Sequence, residues 1–272
     1  MENFDNRAST FDDLQWVKDE NYLNSVIELL NISGNETVLD VGPGTGPIMR
    51  KLLEKYPNLN YVCIEPSERM VEKITDWISS DKKRLDYSIT IYDSFDILEK
   101  AMHNNYTTSP YIFDAVIMRN VLHHFNSYES IKEALRIITY YTRKMGKIVI
   151  GEGCPPFQVY DGCMMYSENK DVELSQKILR MKEDRIDFIT VYKAVIDFLT
   201  ENKISYSTKY IKSPMNDIDN WLDKGSLLSR EKKEEIKNIF RDMDENQKKR
   251  FGIVEKDNKL YMTFYHQIIY TI

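Results

Sequence analysis

Residues Val38 to Pro57 read VLDVGPGTGPIMRKLLEKYP, and the turn at their centre decides the fold. An apolar run carries the acid Asp40. Glycines then recur at every second position, Gly42, Gly44 and Gly46, and an amphipathic pattern begins at Pro47. Glycine lets the main chain approach a ligand without a β-carbon in the way. Proline suits the first turn of a helix, where no amide hydrogen is needed. The stretch therefore predicts a strand, a ligand-binding turn and a helix in direct succession.

The glycine spacing narrows the guest. A dinucleotide turn of the common type needs G-x-G-x-x-G, whose third glycine brings helix and strand together. Here the pattern is G-x-G-x-G, and no Gly-Lys-Ser/Thr follows to make a nucleoside-triphosphate loop. The negative charge of Asp40 suits a cationic amino-acid group better than a pyrophosphate.

Outward from this turn, short apolar runs alternate with helical patterns over residues 36–151. Candidate strands are Thr37–Val41, Asn60–Ile64, Ser88–Tyr92, Ala115–Met118 and Lys147–Ile150. Candidate helices between them are Ile48–Tyr56, Met70–Ser79 and Ser130–Lys144, with another at 11–30 before the first strand. That alternation implies parallel βαβ units in a doubly wound sheet whose binding edge lies at the strands' carboxyl ends. Beyond Gly151 the pattern changes. Residues 171–202 are helical in period, Lys203–Ile211 reads as a strand, and Ile218–Arg250 is polar and helical. The chain then ends in the β-like run LYMTFYHQIIYTI. The expected fold is α/β: a Rossmann-like, mostly parallel sheet of about seven strands with an antiparallel C-terminal strand and helical cap insertions. Residues 1–151 would form the ligand-binding core with an N-terminal helical lid. Residues 152–272 would complete the sheet and cap the substrate, in one compact domain.

The motif DVGPGTG resembles the first motif of the class I S-adenosylmethionine-dependent methyltransferases, an acid followed by G-x-G-x-G. The resemblance implies S-adenosylmethionine as methyl donor, S-adenosylhomocysteine as product, and Asp40, Gly42, Gly44 and Gly46 at the cofactor. In YVCIEPSERM, Glu65 follows the last glycine by nineteen residues, where an acid can accept both ribose hydroxyls. Its neighbours Ser67 and Met70 resemble the menaquinone and ubiquinone methyltransferase branch, which implies Met70 against the adenine. In SITIYDSFDIL, the resemblance puts Asp93 on the adenine amino group with Ser94 or Phe95 beside the ring, and Asp96 is an alternative to Asp93.

The stretch FDAVIMRNVLHHF is similar to the family's Phe-Asp before the fourth strand and Leu-His-His after it. Asp114 is then structural, and Arg119 and Asn120 lie near the methionine part of the cofactor. His123 and His124 are candidate general bases, His124 preferred, since histidine titrates near neutral pH. They are equally candidates for merely shaping the pocket. Glu152 is a further base candidate. NFDNRASTFDD matches the family's Phe-Asp-x-x-Ala-x-x-Tyr-Asp pattern with Phe11 for the tyrosine, so any contact from Phe11 is apolar. The resemblance covers residues 4–151 and is weak over 152–272.

Bulk properties bound the remainder. The chain has 272 residues, 42% of them hydrophobic and 29% charged, with a net charge of −6. That balance speaks against a broad nucleic-acid surface, which needs a basic face. No apolar run is long enough for a membrane span and the polar start is no signal peptide, which together suggest a cytoplasmic protein. Cys63, Cys154 and Cys163 are read as free thiols, and no metal site is expected. The segment after the fifth strand carries Phe157, Tyr160, Met164, Met165 and Tyr166, which suit a flat or apolar small molecule or else the core of the cap. Trp221 is read as an anchor of the cap to the sheet. The expected activity is methyl transfer to an oxygen, nitrogen or carbon of a small-molecule metabolite by in-line displacement. The alternative is a cofactor-binding relative without methyl transfer, serving in regulation or in a rearrangement. The sequence leaves the acceptor and the oligomeric state open.

Overall fold

The computed structural model describes residues 4–105, 112–154, 170–182, 186–223 and 228–272. One eight-stranded sheet organises them, in the order β3-β2-β1-β4-β5-β8-β6, with β7 paired to β8. Strands β1 (Thr37–Val41), β2 (Asn60–Ile64), β3 (Ser88–Tyr92), β4 (Phe113–Arg119) and β5 (Thr142–Cys154) run parallel. Strand β8 (Lys259–Thr271) is antiparallel to β5 and to β6 (Tyr206–Asp217), and β7 (Ile253–Lys256) forms a hairpin with it. The strand order reverses at β1 and β4, so the crevice at their carboxyl ends is the natural binding edge.

Helices α1 (Glu20–Leu30), α2 (Pro47–Lys55) and α3 (Glu68–Ser79) cover one face; α4 (Phe95–Asn105), α5 (Tyr128–Tyr141) and α7 (Phe188–Glu201) cover the other. Side chains alternate across each strand. Val38 of β1 and Tyr61 of β2 accordingly pack with Tyr22, Val26 and Leu52, while Leu39 and Val62 pack against Leu98, Leu135 and Val195. A third apolar cluster lies in the cap. Helices α6 (Lys170–Lys182), α8 (Ile218–Asp223), α9 (Arg230–Asp242) and α10 (Glu245–Phe251) contribute Ile178, Ile218, Ile236, Phe240 and Phe251 to it, and β8 adds Leu260 and Met262.

Several boundaries differ from expectation. Within 11–30 only Glu20–Leu30 is α-helical; a 3₁₀ turn covers Phe11–Asp13, and Asp19 caps the helix by accepting from the amides of Asn21 and Tyr22. The helix expected through Lys144 ends at Tyr141, where β5 begins. The stretch 171–202 divides into α6 and α7, the latter opened by an Asp187 cap on the amides of Ile189 and Thr190. The polar stretch Ile218–Arg250 divides into three helices, because Ser229 and Asp244 each cap a new start. The segment with Phe157, Tyr160, Cys163, Met164, Met165 and Tyr166 lies outside the described residues. No helix among the described residues is long and apolar enough to cross a membrane.

Candidate active site

A cavity of about 670 Å³ opens at the carboxyl ends of β1, β2, β4 and β5 and continues under the cap. Its first wall is the glycine turn. Gly42, Gly44 and Gly46 have φ of +68°, +60° and +81°, in the left-handed region that other residues enter with strain. A β-carbon on Gly42 would stand 2.5 Å from Val121 Cγ2, and one on Gly44 would stand 3.1 Å from Phe11 Cε1. The main chain is therefore bare where the cavity wall needs it. Gly46 lies outside the cavity; it is the N-cap of α2, and Pro47 takes the first helical position.

Glu65 ties the turn to the neighbouring loop. Its Oε2 accepts from the Gly44 amide at 2.9 Å and its Oε1 from the Ser67 amide at 2.9 Å. A carboxylate has about four acceptor sites, so it retains capacity for a ligand's hydroxyls. Burial raises the Glu65 pKa, opposed by these two amides. Met70, Asp93, Ser94 and Phe95 also line this end, whereas Asp96 does not.

Asp40, expected at the ligand, does not line the cavity. Its place in β1 turns it to the face shared with Tyr61, whose hydroxyl donates to Asp40 Oδ2 at 2.7 Å. Burial pushes its carboxyl up to about 7, against the hydrogen bond from Tyr61 and the charge of Arg119. Asp114 is structural in its contacts: it accepts from the Thr37 amide at 2.9 Å and from Arg143 at 2.7 Å.

The N-terminal segment closes one side. Asp5 accepts from the Ser67 hydroxyl at 2.7 Å, and Asp12 accepts from the Thr45 hydroxyl at 2.5 Å. These two bonds pin the segment to both loops that follow β1 and β2. Phe4, Phe11 and Trp16 then face the cavity. Arg119, at the end of β4, is buried beside them. Its Nη2 donates to the Trp16 carbonyl at 2.7 Å, its guanidinium lies over the Trp16 and Tyr22 rings at 5.3 and 4.9 Å, and its Nε has no partner among the described residues. Asn120, with φ of +52°, turns the chain out of β4 while its amide still donates to the Gly151 carbonyl at 2.7 Å.

Two separate base candidates meet here. His123 Nδ1 lies 2.7 Å from Glu152 Oε2, and Glu152 Oε1 accepts from the amides of Val121 at 3.0 Å and Leu122 at 2.7 Å. Glu152 thus holds both the turn that carries His123 and the imidazole itself. His124 takes a different place, with Phe4 edge-on at 4.6 Å between ring centroids and His123 at 4.0 Å.

The far lobe is apolar. Ile178, Leu179, Phe188, Trp221, Phe240 and Phe264 are among its lining residues. Trp221 lies 5.9 Å from the ring of Phe264 on β8 and 6.5 Å from that of Phe240 in the cap, so it joins cap to sheet and faces the cavity at once. Lys182 stands over its ring at 4.7 Å. Trp16, Phe188, Phe240, Phe264 and His266 are lining residues that escaped the sequence reading, and His266 of β8 is buried and stacked on Tyr22 at 3.9 Å. Its signal was a lone imidazole between Phe264 and Ile268 at the inward period of two.

Comparison with known proteins agrees with this architecture. Residues 39–148 match a family model described as a methyltransferase domain. The chain is 27% identical over 114 residues to the ribosomal RNA small subunit methyltransferase A of Mesoplasma florum; the match takes in 39% of this chain and 42% of that relative, well under half its length. The crystal structure of the YcgJ protein of Bacillus subtilis superposes with a TM-score of 0.67 at 15% identity, over 92% of this chain and 97% of that one. Geranyl diphosphate C-methyltransferase of Streptomyces coelicolor A3(2), solved with Mg2+, geranyl diphosphate and S-adenosyl-L-homocysteine, superposes with a TM-score of 0.51 at 12% identity. That likeness covers 92% of this chain and 78% of that one.

Proposed function

We propose that this chain, whose residues 39–148 match a methyltransferase-domain model, transfers a methyl group from S-adenosylmethionine to an apolar small molecule held beneath the cap. The observation that carries the reading is one continuous cavity. The bare glycine turn and Glu65 stand at one end, and an apolar lobe lies at the other. When bound, S-adenosylmethionine supplies a methyl group already activated on a sulfonium. The residues present fit it. Gly42 and Gly44 let the bare main chain form the wall, with Val121 and Phe11 packed where β-carbons would stand, and Glu65 keeps acceptor capacity for ribose hydroxyls. The unpartnered Nε of buried Arg119 offers a charged donor for a carboxylate. Met70, Asp93, Ser94 and Phe95 are assigned to the adenine end.

The protein's share of the work is positioning and exclusion of water. Phe4, Phe11 and Trp16 cover the turn, and the cap encloses the acceptor. Where the acceptor must lose a proton, His123 is the base, its imidazole oriented by Glu152 at Nδ1. His124 is assigned to the pocket wall beside Phe4. The net charge of −6 favours a small acceptor over RNA, whose phosphates call for a basic surface.

Calorimetric titration with S-adenosylmethionine tests the site. Binding by the wild type and its loss in Gly44→Val and Glu65→Ala support the assignment; equal binding by all three removes it. Labelled methyl transfer into a metabolite extract then tests turnover, and absence of any labelled product overturns the catalytic reading.

A further inference from the structure

His266 is the most isolated polar side chain of the cavity wall. It is 3% exposed, and neither ring nitrogen has a hydrogen-bond partner among the described residues. Buried polar groups in native proteins are nearly always satisfied, and an unsatisfied one costs stability. The ring is also fixed in place. It stacks on Tyr22 at 3.9 Å with planes 10° apart, and β8 sets its height, where His266 faces Gly153 of β5 and Ile211 of β6. Gly153 has no side chain to shield it, and a β-carbon there would meet nothing within 4 Å. The imidazole lines the cavity, whose wall also includes Arg119, Glu152, Met262 and Phe264.

Its chemistry is restricted. Burial, and then the charge of Arg119, lower its pKa to about 3, so the ring is neutral with one donor and one acceptor nitrogen. The same guanidinium disfavours an ammonium beside it. A neutral hydroxyl satisfies the ring without bringing charge into the pocket.

We propose that His266 is a specificity residue that hydrogen-bonds a hydroxyl group on the otherwise apolar acceptor, so that the substrate class is a hydroxylated apolar or aromatic molecule. This rests on the cavity being the methyl-transfer site. The hydroxyl anchors at the sheet while the apolar body lies against Trp221, Phe240 and Phe264. A site built to bond a hydroxyl rejects an analogue lacking it, because its own polar group is then left unpaired.

Binding of 2-naphthol and of naphthalene, by calorimetry with and without S-adenosylhomocysteine, tests this. The wild type is expected to prefer 2-naphthol about tenfold, on the order of one buried hydrogen bond. His266→Phe, which keeps a ring on Tyr22, is expected to abolish the preference while binding naphthalene at least as well. In the wild type the His266 ring nitrogen resonances should move on adding 2-naphthol and stay still on adding naphthalene, a readout that needs no variant to fold. Equal wild-type affinity for both molecules, failure of both to bind, or an unchanged preference in a folded His266→Phe overturns the proposal. A wild type that binds no S-adenosylhomocysteine sinks the methyl-transfer reading separately, since the comparison without cofactor still decides the role of His266.

Discussion

His123 Nδ1 and Glu152 Oε2 stand 2.7 Å apart, although β4 and β5 deliver the two residues from opposite ends of a helical crossover. The same carboxylate accepts the amides of Val121 and Leu122, so the turn and the imidazole are set by one group. His123→Ala should lower methyl transfer on the order of 100-fold, the usual worth of a general base. S-adenosylmethionine affinity should stay within about twofold, because the change touches the reacting group and not uniform binding. Single-turnover labelling beside calorimetry checks both; a fall in cofactor affinity that accounts for the whole loss would make His123 a wall residue.

The glycine turn makes a stability prediction as well as a binding one. Gly42→Ala puts a β-carbon 2.5 Å from Val121 Cγ2 in a residue with φ of +68°. We expect a cost of about 1–3 kcal/mol in denaturant melts. Cofactor affinity should also fall at least about tenfold, as the wall moves into the ligand.

The buried Asp40 predicts a pH dependence. Its folded pKa, about 7, lies above the ordinary 3.8, so the native state holds a proton that the unfolded chain releases. Its contribution to stability is present below about 3.8 and is lost as pH rises through about 7. Asp40→Asn keeps an acceptor for the Tyr61 hydroxyl without the charge. The variant should gain on the wild type between pH 5 and 8, by on the order of 1–3 kcal/mol in urea melts. A constant difference across that range would show that Asp40 stays ionised throughout.

Truncation in the cap should separate it from the sheet. Phe240 is 1% exposed in the cluster that holds Ile236, Phe251 and Met262. Phe240→Ala is expected to cost about 3–5 kcal/mol. The glycine turn lies at the other end of the cavity and shares no core cluster with Phe240, so calorimetry at a temperature below the melt should still show S-adenosylmethionine binding.

The parts legible in the sequence were those with a local cause. Strands β1 and β2 coincide with their apolar runs, because parallel strands packed between helices are buried along nearly all their length, and the edge strand β3 coincides with its alternating run of Ile89 and Ile91 between more exposed Ser88 and Thr90. Capping decided what periodicity could not: Asp187, Ser229 and Asp244 cut long helical patterns into shorter helices. Helix α4 was not expected, although Phe95, Leu98 and Met102 stand at helical spacing, because those three apolar positions are set in a polar run directly after the turn at Asp93. The β7–β8 hairpin turns on Asp257 and Asn258, both with positive φ, a pairing that the polar stretch around it concealed.

For this protein the sequence by itself determined the turn. Tolerance of positive φ and the absence of a β-carbon are properties of single residues, and Gly42, Gly44 and Gly46 use both in the turn they form. The tertiary structure alone decided which polar groups meet. It turned Asp40 away from the cavity to Tyr61, brought Glu152 to His123 rather than His124, and set His266 on the wall opposite Gly153. Those outcomes depend on strand facing and on the register of β5 against β8, which arise from packing across the whole sheet and leave no trace in the neighbouring residues.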